Sequence, residues 1–312
     1  MSGNADPARP PAPPDLRVDV HTGARVYVVG SRQDRPNLPA GRCPFCPGGL
    51  EAPEPYDVRW FVNRWPSMPD DRCEVILYAP IHDATFWSLG VAGARRVVDL
   101  WAERSAALGA REDVEYVLVF ENRGAEVGAT ISHPHGQIYA FDFVPELPLR
   151  ELSRGTLFGD PGDRMVATAP GWRAWVPEAA THPYALLLVP DDEVPDLPSL
   201  GDAGRDGLAA LLVDVLERLD RLFDAPAPYM LWFHQRPFDG ARWPGARLHV
   251  EIVCPWRSRG ALRYVAAGEL GSGVYFNPVA PEEAAAELRR AGARERGVPV
   301  GAPAGTSAEP QV

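Results

Sequence analysis

Residues 121–141 read ENRGAEVGATISHPHGQIYAF, and the fold turns on this stretch. Its final part, HGQIYAF, with the DFV that follows, reads as a strand. In extended chain, positions 133, 135 and 137 aim His133, His135 and Gln137 to one side. Pro134 has no amide to give to a ladder, so the strand begins at an edge or in an irregular segment beside a site. The preceding GAEVGAT is rich in small residues, which let backbone N–H groups come close to a ligand. The spacing alone suits a polar strand face without chemistry equally well.

Outward from this segment, EYVLVFEN (115–122) reads as a strand rich in β-branched and aromatic residues. Residues 85–108 carry Val91, Ala94, Val97, Val98, Trp101 and Leu108 at a helical period. Further upstream, DVRWFVNRWPSM and CEVILYAP read as strands, and RVDVHTGARVYVVG as strand, turn, strand. Downstream, RMVATAPGWRAWVP and YALLLVPDD read as strands, LAALLVDVLERLDRLF as a helix, and PYMLWFHQRPF and LHVEIVCPW as strands again. PEEAAAELRRAGARERG reads as a terminal helix, with Pro281 and acids at its start and arginines at its end, as the helix dipole favours. Strand, strand, helix, strand, strand therefore occurs twice. The order predicts an α+β fold of two similar halves, residues 15–150 and 151–290, each a mainly antiparallel sheet with helices, sharing a core. The Pro- and Ala-rich ends, 1–14 and 291–312, lack the apolar residues needed to order them and read as disordered tails.

The bulk numbers narrow the function. The 312 residues are 46% hydrophobic and 23% charged, enough for one large core or two moderate ones. A net charge of −11 builds no broad basic face, so nucleic acid is not an expected partner, and bound phosphate must be met by a few local arginines. No apolar run of membrane-spanning length and no secretory leader is legible, so no membrane partner and a cytoplasmic location are expected. Cys73 and Cys254 stand in apolar text and read as buried free thiols. Cys43 and Cys46 form a C-x-x-C within a loop dense in Gly and Pro; it reads as half of a metal site, the rival being a redox pair, which should open a helix.

FEN at 120–122, the glycines after it and HPHGQ at 133–137 together resemble the signature of the galactose-1-phosphate uridylyltransferases, the transferase branch of the histidine-triad superfamily. The resemblance runs from TGARVYVVGSRQDRP (22–36) through CPFC to LRYVAAGELGSGVYFNPVAPEEAAAELR (262–289) and leaves out only the tails. It implies histidine-triad-like halves and transfer of UMP from UDP-glucose to galactose-1-phosphate through a covalent uridylyl-histidine. By this resemblance His135 is the nucleophile, with its other ring nitrogen donating to a backbone carbonyl, and Gln137 donates its amide to a phosphoryl oxygen. The hydrolytic branches have histidine in place of Gln137, so glutamine favours transfer. Asn122, Gly128 and Thr130 match the phosphate-contacting segment, Arg32 and Arg35 the arginines near the diphosphate, and Asn63 the uridine contact, although Arg64 replaces an acidic residue. Arg263, Tyr264 and Glu269 match a hexose-binding segment that reaches a partner's site, which implies a homodimer.

The resemblance also implies a structural zinc on Cys43, Cys46, His82 and His133, bracing the strand that carries His135. A second metal, iron or zinc, is implied at Glu151, His234, His249 and position 251, where this chain has Glu251 instead of histidine. Two other readings stay open at this level: an ADP-sugar phosphorylase or adenylyltransferase on the same fold, and a non-catalytic zinc protein that binds nucleotide sugars.

Overall fold

The computed structural model describes residues 14–34, 42–155 and 158–293. Arg35 and nearly all of the two expected tails lie outside them. Strands β1 (Asp15–Val18) and β2 (Arg25–Val28) form a hairpin of their own. Strands β3 (Arg59–Val62) and β4 (Cys73–Leu77), helix α1 (Gly90–Gly109) and strands β5 (Tyr116–Arg123) and β6 (His135–Phe141) follow. A short helix, α2 (Glu146–Arg154), leads to strands β7 (Met165–Ala169), β8 (Trp172–Trp175) and β9 (Leu186–Pro190). Then come helix α3 (Asp202–Phe223) and strands β10 (Tyr229–His234) and β11 (His249–Val253). A small hairpin, β12 (Trp256–Ser258) and β13 (Ala261–Leu262), precedes helices α4 (Ala267–Ser272) and α5 (Pro281–Ala293).

Nine of these strands form one antiparallel sheet in the order β3-β4-β6-β5-β10-β11-β9-β8-β7. Read outward from its centre, β5-β6-β4-β3 on one side mirrors β10-β11-β9-β8 on the other, with α1 and α3 in corresponding places. The two halves meet where β5 pairs with β10, Tyr229 opposite Arg123 and Leu231 opposite Glu121. The repeated order in the sequence is thus a repeated arrangement in space. β7 is an addition at one edge.

One face of the sheet carries the helices. Val97, Val98 and Trp101 of α1, Leu212, Val215 and Leu216 of α3 and Leu288 of α5 share a core with Val117, Val119, Ile138 and Ile252 of the strands. Trp101 is fully buried, stacked on Phe86 at 5.7 Å and edge-on to Phe233 at 5.2 Å, so truncating it to alanine would cost about 3–5 kcal/mol. The pleat decides what remains for the other face. Along β6, Gly136, Ile138 and Ala140 are buried toward the helices, while His135, Gln137, Tyr139 and Phe141 alternate with them.

Candidate active site and two metal clusters

His135 opens β6 and lies opposite Leu77 of β4. Its Nδ1 is 2.8 Å from the main-chain oxygen of His133, a contact in which only the nitrogen can donate. The ring's lone pair therefore lies on Nε2. The Phe45 ring meets the imidazole edge-on at 5.1 Å. Gln137 stands two residues on, on the same face, and pairs with Phe120 of β5. Continuing that register brings Asn122 level with His135. Between β5 and β6 runs the loop with Gly128 (φ +85°) and Thr130; a left-handed φ suits glycine there.

Arg32 reaches this face indirectly. Its guanidinium donates to Ser67, whose hydroxyl is 2.9 Å from that of Tyr139 on β6. Asn63 lies just beyond β3, and its side-chain oxygen accepts the Trp65 amide at 2.9 Å. Arg64 is paired with Glu51 at 2.7 Å. The hexose segment is built around an ion pair of its own. There Arg263 and Glu269 are buried and paired with each other, and Glu269 also accepts the amides of Ala266 at 3.0 Å and Phe276 at 2.9 Å. Those backbone bonds, with the arginine, hold its carboxyl below the usual range. Tyr264 is exposed.

Cys43, Cys46, His82 and His133 offer ligand atoms within 4.8 Å of one another. The Cys46 sulfur is 3.5 Å from Nδ1 of His82 and 3.6 Å from Nδ1 of His133. The far nitrogens are held elsewhere: His133 Nε2 donates to the Ala79 carbonyl at 2.8 Å, and His82 Nε2 is 3.2 Å from the Ser132 hydroxyl. Tyr56 braces the loop by donating to the Phe45 carbonyl at 2.7 Å. Burial holds the His133 imidazole below its ordinary value. Two thiols and two imidazoles, each ring with an outer hydrogen bond, form a donor set that fits a tetrahedral metal.

A second cluster stands in the other half. Glu151 is 2.7 Å from His234 Nδ1 and 2.9 Å from His249 Nε2, and the two imidazoles stack at 4.2 Å. Burial would raise the Glu151 carboxyl, yet the hydrogen bonds from His234 and His249 prevail and hold it low. A cavity of about 10 Å³, near the size of a single ion or water, adjoins these residues. Glu151, His234 and His249 form the compact group, while Glu251 stands to one side, 3.2 Å from His234 Nε2, which also accepts the Trp232 indole at 2.8 Å. Carboxylate and imidazole suit a divalent metal.

The mirror order of the sheet relates the two clusters. His249 opens β11 as His135 opens β6, and its Nδ1 likewise lies 2.8 Å from the carbonyl two residues earlier, at Arg247. By the same correspondence His234 stands for Asn122 and Glu251 for Gln137. One polar plan has been built twice, with a different residue set in each half. Helix α2, which delivers Glu151, has no expectation behind it in the sequence reading: ELPLRELSR, with two prolines nearby, carries no buried residue to announce it.

Among the described residues no helix is long and apolar enough to cross a membrane. Known proteins resemble this chain over most of its length. A family model described as "Galactose-1-phosphate uridyl transferase, N-terminal domain" matches residues 65–145, and its C-terminal counterpart matches residues 135–290. The galactose-1-phosphate uridylyltransferase of Thermotoga maritima is 34% identical, covering 88% of this chain and 98% of its own length. That of Streptomyces lividans is 38% identical over 80% of this chain and 79% of its own. A solved uridylyltransferase structure superposes with a TM-score of 0.81 at 29% identity, covering 89% of this chain and 98% of that one. The chain belongs to the galactose-1-phosphate uridylyltransferase family.

Proposed function

We propose that this protein moves a uridylyl group from UDP-glucose to galactose-1-phosphate in two displacements at Nε2 of His135. In the first, the Nε2 lone pair attacks the α-phosphorus. The bond from phosphorus to the bridging oxygen breaks, and glucose-1-phosphate leaves with that electron pair. In the second, a phosphate oxygen of galactose-1-phosphate attacks the same phosphorus, the N–P bond breaks, and UDP-galactose departs. The observation that carries this reading is the 2.8 Å bond from Nδ1 to the His133 carbonyl, which fixes the tautomer a nucleophilic imidazole needs.

The neighbours support it. Gln137 donates an amide N–H to a non-bridging oxygen as charge gathers there, and Asn122, Gly128 and Thr130 line the approach of the phosphates. Arg32 and Arg35 supply positive charge to the diphosphate, and Asn63 meets the nucleoside. The names of the matched relatives favour uridine over adenine. We read residues 15–150 and 151–290 as the two halves, the first holding the nucleophile. Zinc, held by Cys43, Cys46, His82 and His133, supplies a rigid anchor for the start of β6. Glu151, His234 and His249 hold a second divalent metal, with Glu251 oriented toward His234. Tyr264, Leu270 and Phe276, exposed at 76%, 75% and 68%, support a homodimer in which the Arg263–Glu269 segment meets the partner's site. The four free thiols fit a cytoplasmic protein.

Isotope exchange tests the two-step course. Without galactose-1-phosphate, the protein is expected to scramble labelled glucose-1-phosphate into UDP-glucose. Exchange that requires galactose-1-phosphate would contradict it.

A further inference from the structure

Gly136 separates His135 from Gln137 and faces the helix side of the sheet. A Cβ placed there would lie 2.1 Å from the Tyr78 hydroxyl oxygen and 3.0 Å from the Phe120 carbonyl oxygen. The space behind the nucleophile's strand is thus already filled by a hydroxyl. Tyr78 follows the end of β4, on one flank of β6, and Glu121 lies on β5, on the other flank. Continuing the β5–β6 register sets Glu121 level with Gly136, and its buried side chain shares the helix side of the sheet with the Tyr78 hydroxyl. On its far side Glu121 accepts the Tyr229 hydroxyl of β10 at 2.6 Å.

The Tyr78 hydroxyl, the second Glu121 oxygen and the Trp101 indole N–H are buried, and none of the three forms a hydrogen bond among the described residues. Trp101 packs edge-on against Tyr78, so the donors and acceptor of the three can be matched in one order: indole N–H to tyrosine oxygen, tyrosine O–H to carboxyl. The Tyr78 ring is clamped edge-on by Phe86 at 5.5 Å and Trp101 at 5.6 Å. Beyond Tyr229, the charged groups near Glu121 are Arg123 and, bound to it, Asp220. A polar chain closed off from water in this way is stiff, because every member left unpaired is costly.

We propose that Tyr78 and Glu121 form a hydroxyl–carboxyl bridge behind Gly136 that ties together the strands flanking β6 and fixes the pitch at which His135 and Gln137 meet the phosphoryl group. Both are positioning residues; neither touches substrate. The inference rests on His135 being the nucleophile.

The test measures single-turnover formation of the uridylyl adduct from UDP-glucose, beside UDP-glucose affinity, metal content and thermal midpoint. Tyr78→Phe and Glu121→Leu are expected to slow adduct formation about 10- to 100-fold, as small misplacements of reacting groups do, with affinity and metal content unchanged. Glu121→Gln, whose amide oxygen accepts the Tyr229 hydroxyl while its N–H donates to the Tyr78 oxygen, keeps most of the rate. Gly136→Ala unfolds the site by collision with the Tyr78 oxygen. Adding Tyr78→Phe removes that atom, so the double variant recovers the thermal midpoint but not the rate. Wild-type rates in Tyr78→Phe and Glu121→Leu would overturn the inference, as would rate losses that only follow the thermal midpoint. If the wild-type protein forms no adduct on His135, it is the proposed function that fails; if it does and Tyr78→Phe forms it as fast, only the bridge fails.

Discussion

His135 donates its Nδ1–H to the main-chain oxygen of His133 at 2.8 Å, while the His133 side chain turns into the cluster of Cys43, Cys46 and His82. One residue therefore offers its ring to a group of side chains that could hold a metal and its backbone carbonyl to the His135 imidazole. Anything that loosens the cluster should loosen the tautomer and aim of His135, and this coupling is open to measurement.

Cys43→Ser is expected to lose about one metal ion per chain and to destabilise the protein by more than about 4 kcal/mol, as losing a structural metal does. Glu151→Ala should remove a different ion and leave the first in place. Elemental analysis with calorimetry separates the two; a stable Cys43→Ser protein with full metal content would refute the assignment.

Gln137→Ala should lower kcat about 10²- to 10³-fold with little change in KM, the loss typical of one oxyanion donor. Gln137→His places an acid beside the phosphoryl group and should raise release of UMP from UDP-glucose without acceptor. Steady-state kinetics and product analysis read both.

Burial pushes the Glu121 carboxyl up to about 7, against the opposing Tyr229 hydrogen bond and Arg123 charge, from its ordinary 4.5. The native state thus holds this proton more firmly than the unfolded chain. The stabilisation is complete below about pH 4.5, shrinks as pH rises and is gone above about pH 7. Glu121→Gln, which has no proton to lose, should flatten that part of the stability profile in urea unfolding at about pH 5 and about pH 8. An unchanged slope would show that the carboxyl titrates normally.

The seam between the halves holds a partly buried ion pair. Arg123 of β5 binds both oxygens of Asp220 of α3, at 2.7 and 2.9 Å, and the Trp87 indole and Ala227 amide bind the same carboxylate at 2.8 and 2.9 Å. Asp220→Ala strands the guanidinium and should cost about 3–5 kcal/mol, whereas Arg123→Met with Asp220→Leu should cost much less. Chemical denaturation of the two variants decides it.

Much of this arrangement was legible in the sequence because it depends on local periods. His133, His135 and Gln137 fall on alternate positions, α1 and α3 repeat every three to four residues, and the doubled order of elements foretold the mirrored sheet. The metal set at Cys43, Cys46, His82 and His133 followed from matching motifs, and the structure gathers all four. What stayed hidden depends on distant parts of the chain. Helix α2 buries no residue of its own, so nothing in ELPLRELSR marked the element that carries Glu151 to the two histidines. Glu269, expected to face a sugar, has its carboxylate engaged by Arg263 and two backbone amides, a cap that forms only once residues 263–276 fold together. Tyr78 and Glu121 looked like ordinary strand text, since a bridge behind a glycine shows only when three strands lie side by side. Arg35 lies outside the described residues.

The most direct test of the central claim is to incubate the protein with UDP-glucose labelled in its uridylyl phosphate, without acceptor, and to locate the label by peptide mass spectrometry. A phosphoramidate on His135, labile to acid, stable to base and absent from His135→Ala, is the predicted result. Label on any other residue, or label that survives in His135→Ala, would contradict it.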